Sequence, residues 1–180
     1  MAITLNGTTG ITSPDINVTA QTNGFTTTGN LTAADLTLSG GVYLGGTGAA
    51  NKLDDYEEGT TSVQLRGSTE PATLLTATMY WAKINDQVSF HLGWENVNTT
   101  GYAGAVTISG LPFANTSGAR AALSVGTYFG ATWSDTLFAY IGITGTTIEL
   151  MDIRSGTTWL SADHTGGADT YIWVAGTYKN

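Results

Sequence analysis

The chain has 180 residues, no cysteine and a formal net charge of −8 at pH 7, and Asp, Glu, Lys and Arg together make up only 11% of it. This excludes a disulfide framework and Cys-based metal sites, and it argues against nucleic acid and anionic membranes as partners, because counterion release needs clustered Lys and Arg and the six here are scattered. Against a usual charged fraction of roughly 25%, the surface must be built from Thr, Ser, Asn and Gly, which suits repetitive β-structure and assembled particles.

Residues Met1 to Gly7 have neither the basic segment nor the apolar run of a signal peptide, and no apolar stretch is long enough to span a bilayer, so synthesis in a cytoplasm without membrane insertion is expected. Residues 1–50 then run in short alternating phrases, Ile3 to Leu5, Ile16 to Val18, Leu36 to Leu38 and Val42 to Leu44, punctuated by Asn6-Gly7, Asn23-Gly24, Gly29, Gly40 and Gly41. One chain cannot bury these side chains, since residues 1–59 hold only Phe25, Tyr43 and Tyr56 of eighteen aromatics. Three chains wound together give them a shared axis, and the expectation is a β-rich trimeric shaft or anchor. Leu36, Leu38, Val42, Leu44, Leu53 and Tyr56 are the candidates for that axis. A flexible Thr- and Gly-rich linker is the alternative, although a linker has no need of the regular Ile, Leu and Val.

Residues 51–59 carry four acids against Lys52 and are the one stretch that reads as a short helix. A calcium loop alternates Asp or Asn around a glycine, and that pattern is missing. The expectation is an acidic collar or linker, with Leu53 and Tyr56 packing on a neighbour.

Residues 60–180 hold the other fifteen aromatics and can fold around their own interior. Strands are expected at Val63 to Leu65, Leu74 to Ile84, Gln87 to Trp94, Ala105 to Ile108, Ala121 to Phe129, Leu137 to Ile143, Thr147 to Ile153 and Tyr171 to Tyr178. Turns fall at Asn85-Asp86, Gly110 to Phe113 and Thr144-Gly145. With no convincing helical period, the expected fold is all-β: an antiparallel, jelly-roll-like β-sandwich head.

Leu44 to Thr60, with its Gly-Gly-Thr-Gly and Asp-Asp-Tyr-Glu-Glu-Gly-Thr, resembles the junction in tail-fibre-like structural proteins of tailed bacteriophages, especially the cyanophage-like ones of marine and freshwater hosts. Ile3 to Pro14 resembles phrases of their shafts, and Tyr80 to Val88 followed by Gly104 to Phe113 resembles strand pairs of their heads. The chain departs from that pattern at Thr61-Ser62-Val63, where similar proteins have Trp-Thr-Pro. The resemblance implies a homotrimeric virion structural protein made in the bacterial host cytoplasm. Its N-terminal segment would meet other virion proteins and its head would face the host. A tail fibre subunit for host-surface attachment is the first reading, and a capsid-mounted decoration protein or head fibre with a mainly structural role is the alternative.

Trp94, Tyr128, Phe129, Trp133 and Trp159 fall near strand ends or in Gly-, Ser- and Thr-rich loops, where an exposed ring can stack on a sugar, so host surface polysaccharide is the expected ligand class. Trp133, beside Asp135, is the leading candidate, and Trp94, Tyr128 and Trp159 follow; the competing reading makes these rings core or inter-subunit packing. No catalytic constellation, metal site or cofactor motif is expected. Asp163, His164 and Asp169 lack zinc-type spacing, and Asp135 with Glu149 or Asp152 shows no spacing that pairs carboxylates for depolymerisation. Five Asn-x-Ser/Thr sequons, at Asn6, Asn17, Asn30, Asn98 and Asn115, are expected by chance in so Thr-rich a chain.

The alternating N-terminal phrases yield a direct test by sedimentation of full-length variants. Leu36→Asp or Leu38→Asp, whichever faces the shared axis, is expected to impair assembly while Thr37→Asp is tolerated. Equal effects at all three positions contradict the alternation.

Overall fold

Apolar alternation with a period of two runs through every long segment of residues 60–180, and each becomes an antiparallel strand with one face turned inward. The computed structural model describes residues 42–43, 52–53, 55–128, 131–132, 136–153 and 159–180, all within the unit Leu38–Asn180. The strands are β1 (Val42–Tyr43), β2 (Lys52–Leu53), β3 (Tyr56–Arg66), β4 (Thr76–Ile84), β5 (Gln87–Val97), β6 (Thr107–Ser109), β7 (Ala121–Tyr128), β8 (Ala131–Thr132), β9 (Thr136–Ile141), β10 (Thr147–Ile153), β11 (Leu160–Ser161), β12 (Asp163–His164) and β13 (Thr170–Lys179). Among the described residues there is no helix.

Eight of these strands close into an antiparallel barrel in the order β10, β6, β3, β4, β5, β13, β7, β9, with β9 pairing back onto β10 from Ile148↔Ile141 to Ile153↔Thr136. β11 pairs antiparallel with the end of β10, while β1 with β2 and β8 with β12 form two small separate pairs. An eight-stranded barrel has an interior just wide enough to be filled by its own side chains. Here Val63, Leu65, Met79, Val88, Ile108, Ala139, Ile141, Ile148 and Ile172 are fully buried, with Leu150 and Val174 at 1% exposure. Each of these side chains larger than alanine contributes roughly 1.5–3 kcal/mol on leaving water. Volume is matched as closely as polarity: Gly176 faces inward opposite Phe90, and a Cβ there would lie 2.5 Å from Cδ2 of Leu123.

Loops plug both ends. At one end Phe113 packs edge-on against Trp81 at 5.1 Å, its carbonyl accepts the Tyr178 hydroxyl at 3.1 Å, and burial pushes the Tyr178 hydroxyl up to about 12. Lys83, buried at the same end, donates to Asp55 at 2.7 Å and to Glu57 at 3.1 Å. At the other end the Leu75 amide donates to the Tyr102 hydroxyl at 2.7 Å, and Thr99 bonds across to Gly167 and Thr170.

The all-β, antiparallel expectation is met, and the strand segments read from the sequence fall within a few residues of the observed ones. The sheet closes as a barrel where a two-layer sandwich was expected. Inward and outward alternation is the same in both architectures, and what separates them is long-range pairing, such as β13 with β5 and β7 and the three-residue β6 that bridges β3 to β10. Where described, residues 52–59 are extended and not helical, and Tyr56 to Gly59 form the start of β3.

Asn115, fully buried, fastens the loop after β6 to the β9–β10 turn. Its amide donates to the carbonyls of Ala119 at 2.8 Å and Gly142 at 3.1 Å, and its oxygen accepts from Ser117. Asn115→Ala removes these bonds from a fully buried side chain, while the Ala119 and Gly142 carbonyls keep the Ser117 hydroxyl and the Gly145 amide as donors, and it is expected to lower stability by about 1–3 kcal/mol in chemical denaturation of the full chain. A loss below about 0.5 kcal/mol would show that the plug does not hold the barrel end.

Candidate functional site

A filled interior leaves the outer wall as the place for chemistry, and two aromatic groups stand there. The first is on β9, β10 and the approach to β11. Outward alternation of β9 puts Phe138 and Tyr140 on the outer face, where they stack at 6.1 Å. Trp159 lies across both, edge-on to Phe138 at 5.1 Å and tilted against Tyr140 at 6.1 Å, yet it remains 51% exposed. The Arg120 guanidinium sits 5.2 Å from the Tyr140 ring and 5.8 Å from that of Trp159, a cation–π arrangement that anchors both rings. The Tyr140 hydroxyl donates to Glu149 at 2.6 Å, and burial together with that carboxylate raises its pKa above the ordinary tyrosine value. Among the described residues Arg120 forms no ion pair. The site therefore offers one half-exposed ring face, a cationic donor and a carboxylate acceptor.

The second group crosses β4, β5, β13 and β7. Tyr80 stacks flat on its cross-strand neighbour His91 at 5.1 Å and 12°. Trp173, 43% exposed, lies between two glycines on the strands either side: a Cβ would come within 2.8 Å of its ring at Gly93 and 3.5 Å at Gly126. Bare glycine backbone lets the indole lie down on the sheet. Its Nε1–H donates to Glu95 at 3.3 Å, and Tyr171 tilts against it at 5.6 Å. Open hollows of about 370 and 410 Å³ flank His91, one bounded by Tyr80, Ala82 and Ser89 and the other by Trp173, Ala175, Ser124 and Gly126.

Of the expected ligand residues, Trp159 is an exposed ring. Trp94 is 3% exposed and belongs to the core, so it offers no stacking face; its inward position follows from the parity it shares with Val88, Phe90 and Leu92 on β5. Tyr128 ends β7 opposite Tyr171. Phe129, Trp133 and Asp135 lie outside the described residues, as do the axis candidates Leu36, Leu38 and Leu44. Val42 pairs with Leu53 across β1 and β2, and Tyr56 is exposed and donates to Glu58 at 2.6 Å. Sequence reasoning passed over Trp173, Tyr80, Tyr140 and Arg120. The signal was available for Trp173, because strict alternation in Tyr171 to Tyr178 assigns it to the face opposite Ile172 and Val174.

His164 is buried, tilted against Tyr102 at 5.1 Å, and its Nε2 donates to the Arg66 carbonyl at 2.9 Å. Among the described residues no group of three His, Cys, Asp or Glu is placed to hold a metal. Asp152 is fully buried. No protein-family model and no curated protein sequence matches the chain.

Burial holds the His164 pKa below the ordinary histidine value, against the opposing pulls of the Arg66 carbonyl and of Asp163 and Glu70. The unfolded chain therefore binds a proton near pH 6.5 that the folded chain refuses, and stability falls as pH drops below that value. Denaturation midpoints of the full chain are expected to decline between pH 7.5 and 5.5, and to decline less in His164→Gln. The same slope in both proteins would contradict the assignment.

Proposed function

We propose that the chain is a homotrimeric fibre subunit of a tailed bacteriophage that attaches the particle to host-surface glycan. In this reading residues 1–50 form the shaft and virion anchor, and the barrel is the host-facing head. The observation that carries it is the half-exposed Trp159, braced by Phe138, Tyr140 and Arg120 on the outer wall. The half of the indole left in water adds little to folding, whereas a pyranose presents a C–H face that stacks on such a ring while its hydroxyls bond to Arg120 and Glu149. Single sites of this kind bind weakly. A trimer, repeated over several fibres, supplies the avidity that attachment needs.

The scarcity of charge and the Thr-, Ser- and Asn-rich surface fit a particle component, and the N-terminal phrases fit assembly by threes. Full-length protein is expected to sediment as a trimer and to compete with particles for adsorption to host cells. Trp159→Ala is expected to abolish competition while lowering stability by less than about 2 kcal/mol, since a fully buried Trp costs about 3–5 kcal/mol and half of this ring is already in water. A stable monomer, or undiminished competition by the variant, would overturn the reading. An antibody against the barrel that decorates the capsid shell would move the protein to the head-fibre class.

A further inference from the structure

We propose that the outer wall of β4, β5, β13 and β7 is a second saccharide subsite, which takes a neutral pyranose between the Tyr80–His91 stack and Trp173. This rests on the attachment reading above and extends it from a single ring to a polysaccharide segment.

The wall has the shape of a trough. Tyr80 and His91 are nearly parallel on one side, with ring centroids 5.1 Å apart, Trp173 lies across Gly93 and Gly126 on the other, and Ala175 makes the floor beside them with Ser124 beyond it. Register brings these residues together, since Ala175 is the Cα partner of both His91 and Ser124. Small side chains on the floor let a sugar ring approach the sheet, and the two ring systems offer apolar faces to its C–H groups.

Charge selects the class of sugar. The trough's nearest ionic group is Glu95, which accepts the Trp173 indole N–H at its rim, while Lys179 at the far end of β13 is held by Asp86 at 2.8 Å. A carboxylated or sulfated saccharide meets a carboxylate here, and among the described residues no Lys or Arg lines the trough, on a chain of net charge −8. A neutral sugar meets hydroxyl and carboxylate partners.

A protein occupant fits the wall less well. Stable interfaces between copies resemble a core cut in half. Among the described residues Ile84 is the one aliphatic side chain larger than alanine that these four strands turn outward. Rings separated by Ser, Thr, Ala and Gly suit hydroxyl-rich ligands.

The two subsites share one side of the barrel. β13 carries Trp173 and β9 carries Phe138 and Tyr140, with only β7 between them: the two strands lie roughly 10 Å apart at two strand spacings, and Trp173 stands opposite Gly126 and Tyr140 opposite Ala122, roughly 13 Å apart along β7. A single polysaccharide chain crossing the strands can engage both, so affinity rises with chain length.

The test is a printed panel of neutral and carboxylated microbial oligosaccharides of graded length, probed with the full-length protein. Neutral glycans are expected to bind, more strongly as length increases. Trp173→Ala and Ala175→Glu, the second filling the floor from an exposed position, are each expected to cut that signal at least tenfold with thermal midpoints near the native value. Should Trp173→Ala unfold the barrel, Ala175→Glu decides alone. Unchanged binding in Ala175→Glu, or a preference for carboxylated glycans, overturns the second subsite while leaving attachment through Trp159 intact. If Ala175→Glu instead dissociates the oligomer, the wall is an interface between copies. Absence of binding to any glycan by the native chain overturns the attachment reading itself.

Discussion

Closure of the sheet is the constraint on which everything else depends. When β9 returns to β10, every strand of the ring gains a partner on both sides, although β3 meets β6 and β7 meets β9 over three residues each. Closure also fixes the interior volume. Val63, Leu65, Met79, Ile108, Ile148 and Ile172 then have to fill it, and the absence of a side chain at Gly176 is what admits Leu123. A barrel of this size filled this way is a solid object and not a ligand-holding cup, so the outer wall and the loops are the surfaces it presents.

The outer wall shows what that displacement leaves. Polar and small residues cover most of it, and the large rings that remain are held in place by specific devices: glycine backbone beneath Trp173, a guanidinium over Tyr140 and Trp159, a flat histidine under Tyr80. Tyr140 is itself buried, while Trp173, Trp159 and Tyr80 are oriented and stay exposed. That is the arrangement expected of surfaces that bind by stacking, where a preset ring loses little entropy on contact with its ligand. Buried polar groups serve a different purpose. Asn115, Tyr102 and His164 satisfy loop backbone at the barrel ends and hold the plugs shut.

Strand content was legible because period-two alternation is a local signal. Tyr171 to Tyr178 reads as one strand with Ile172 and Val174 inward, and the structure has it so. Barrel closure was not legible, because β13 pairs with β5 some eighty residues earlier and nothing local announces that partner. The start of β3 was hidden for another reason: Asp55, Glu57 and Glu58 look like a solvated collar until Lys83 supplies the cation that Asp55 and Glu57 grip. For the site, exposure was the missing quantity. Trp94 and Trp159 share strand-end positions with polar neighbours, and what separates them is parity: Trp94 continues the inward face of Val88, Phe90 and Leu92 along β5, whereas Trp159 precedes a two-residue strand that has no such run.

The central claim is that ligand meets the outer wall while the interior stays closed, and the five tryptophans can report on it directly. Fluorine NMR of full-length protein labelled with 5-fluorotryptophan, titrated with polysaccharide extracted from the host surface, resolves one signal per indole. The account predicts shifts at Trp159 and Trp173 and none at Trp81 or Trp94, whose indole nitrogens are buried. Shifts at Trp94 or Trp81 with Trp159 and Trp173 unmoved would contradict it.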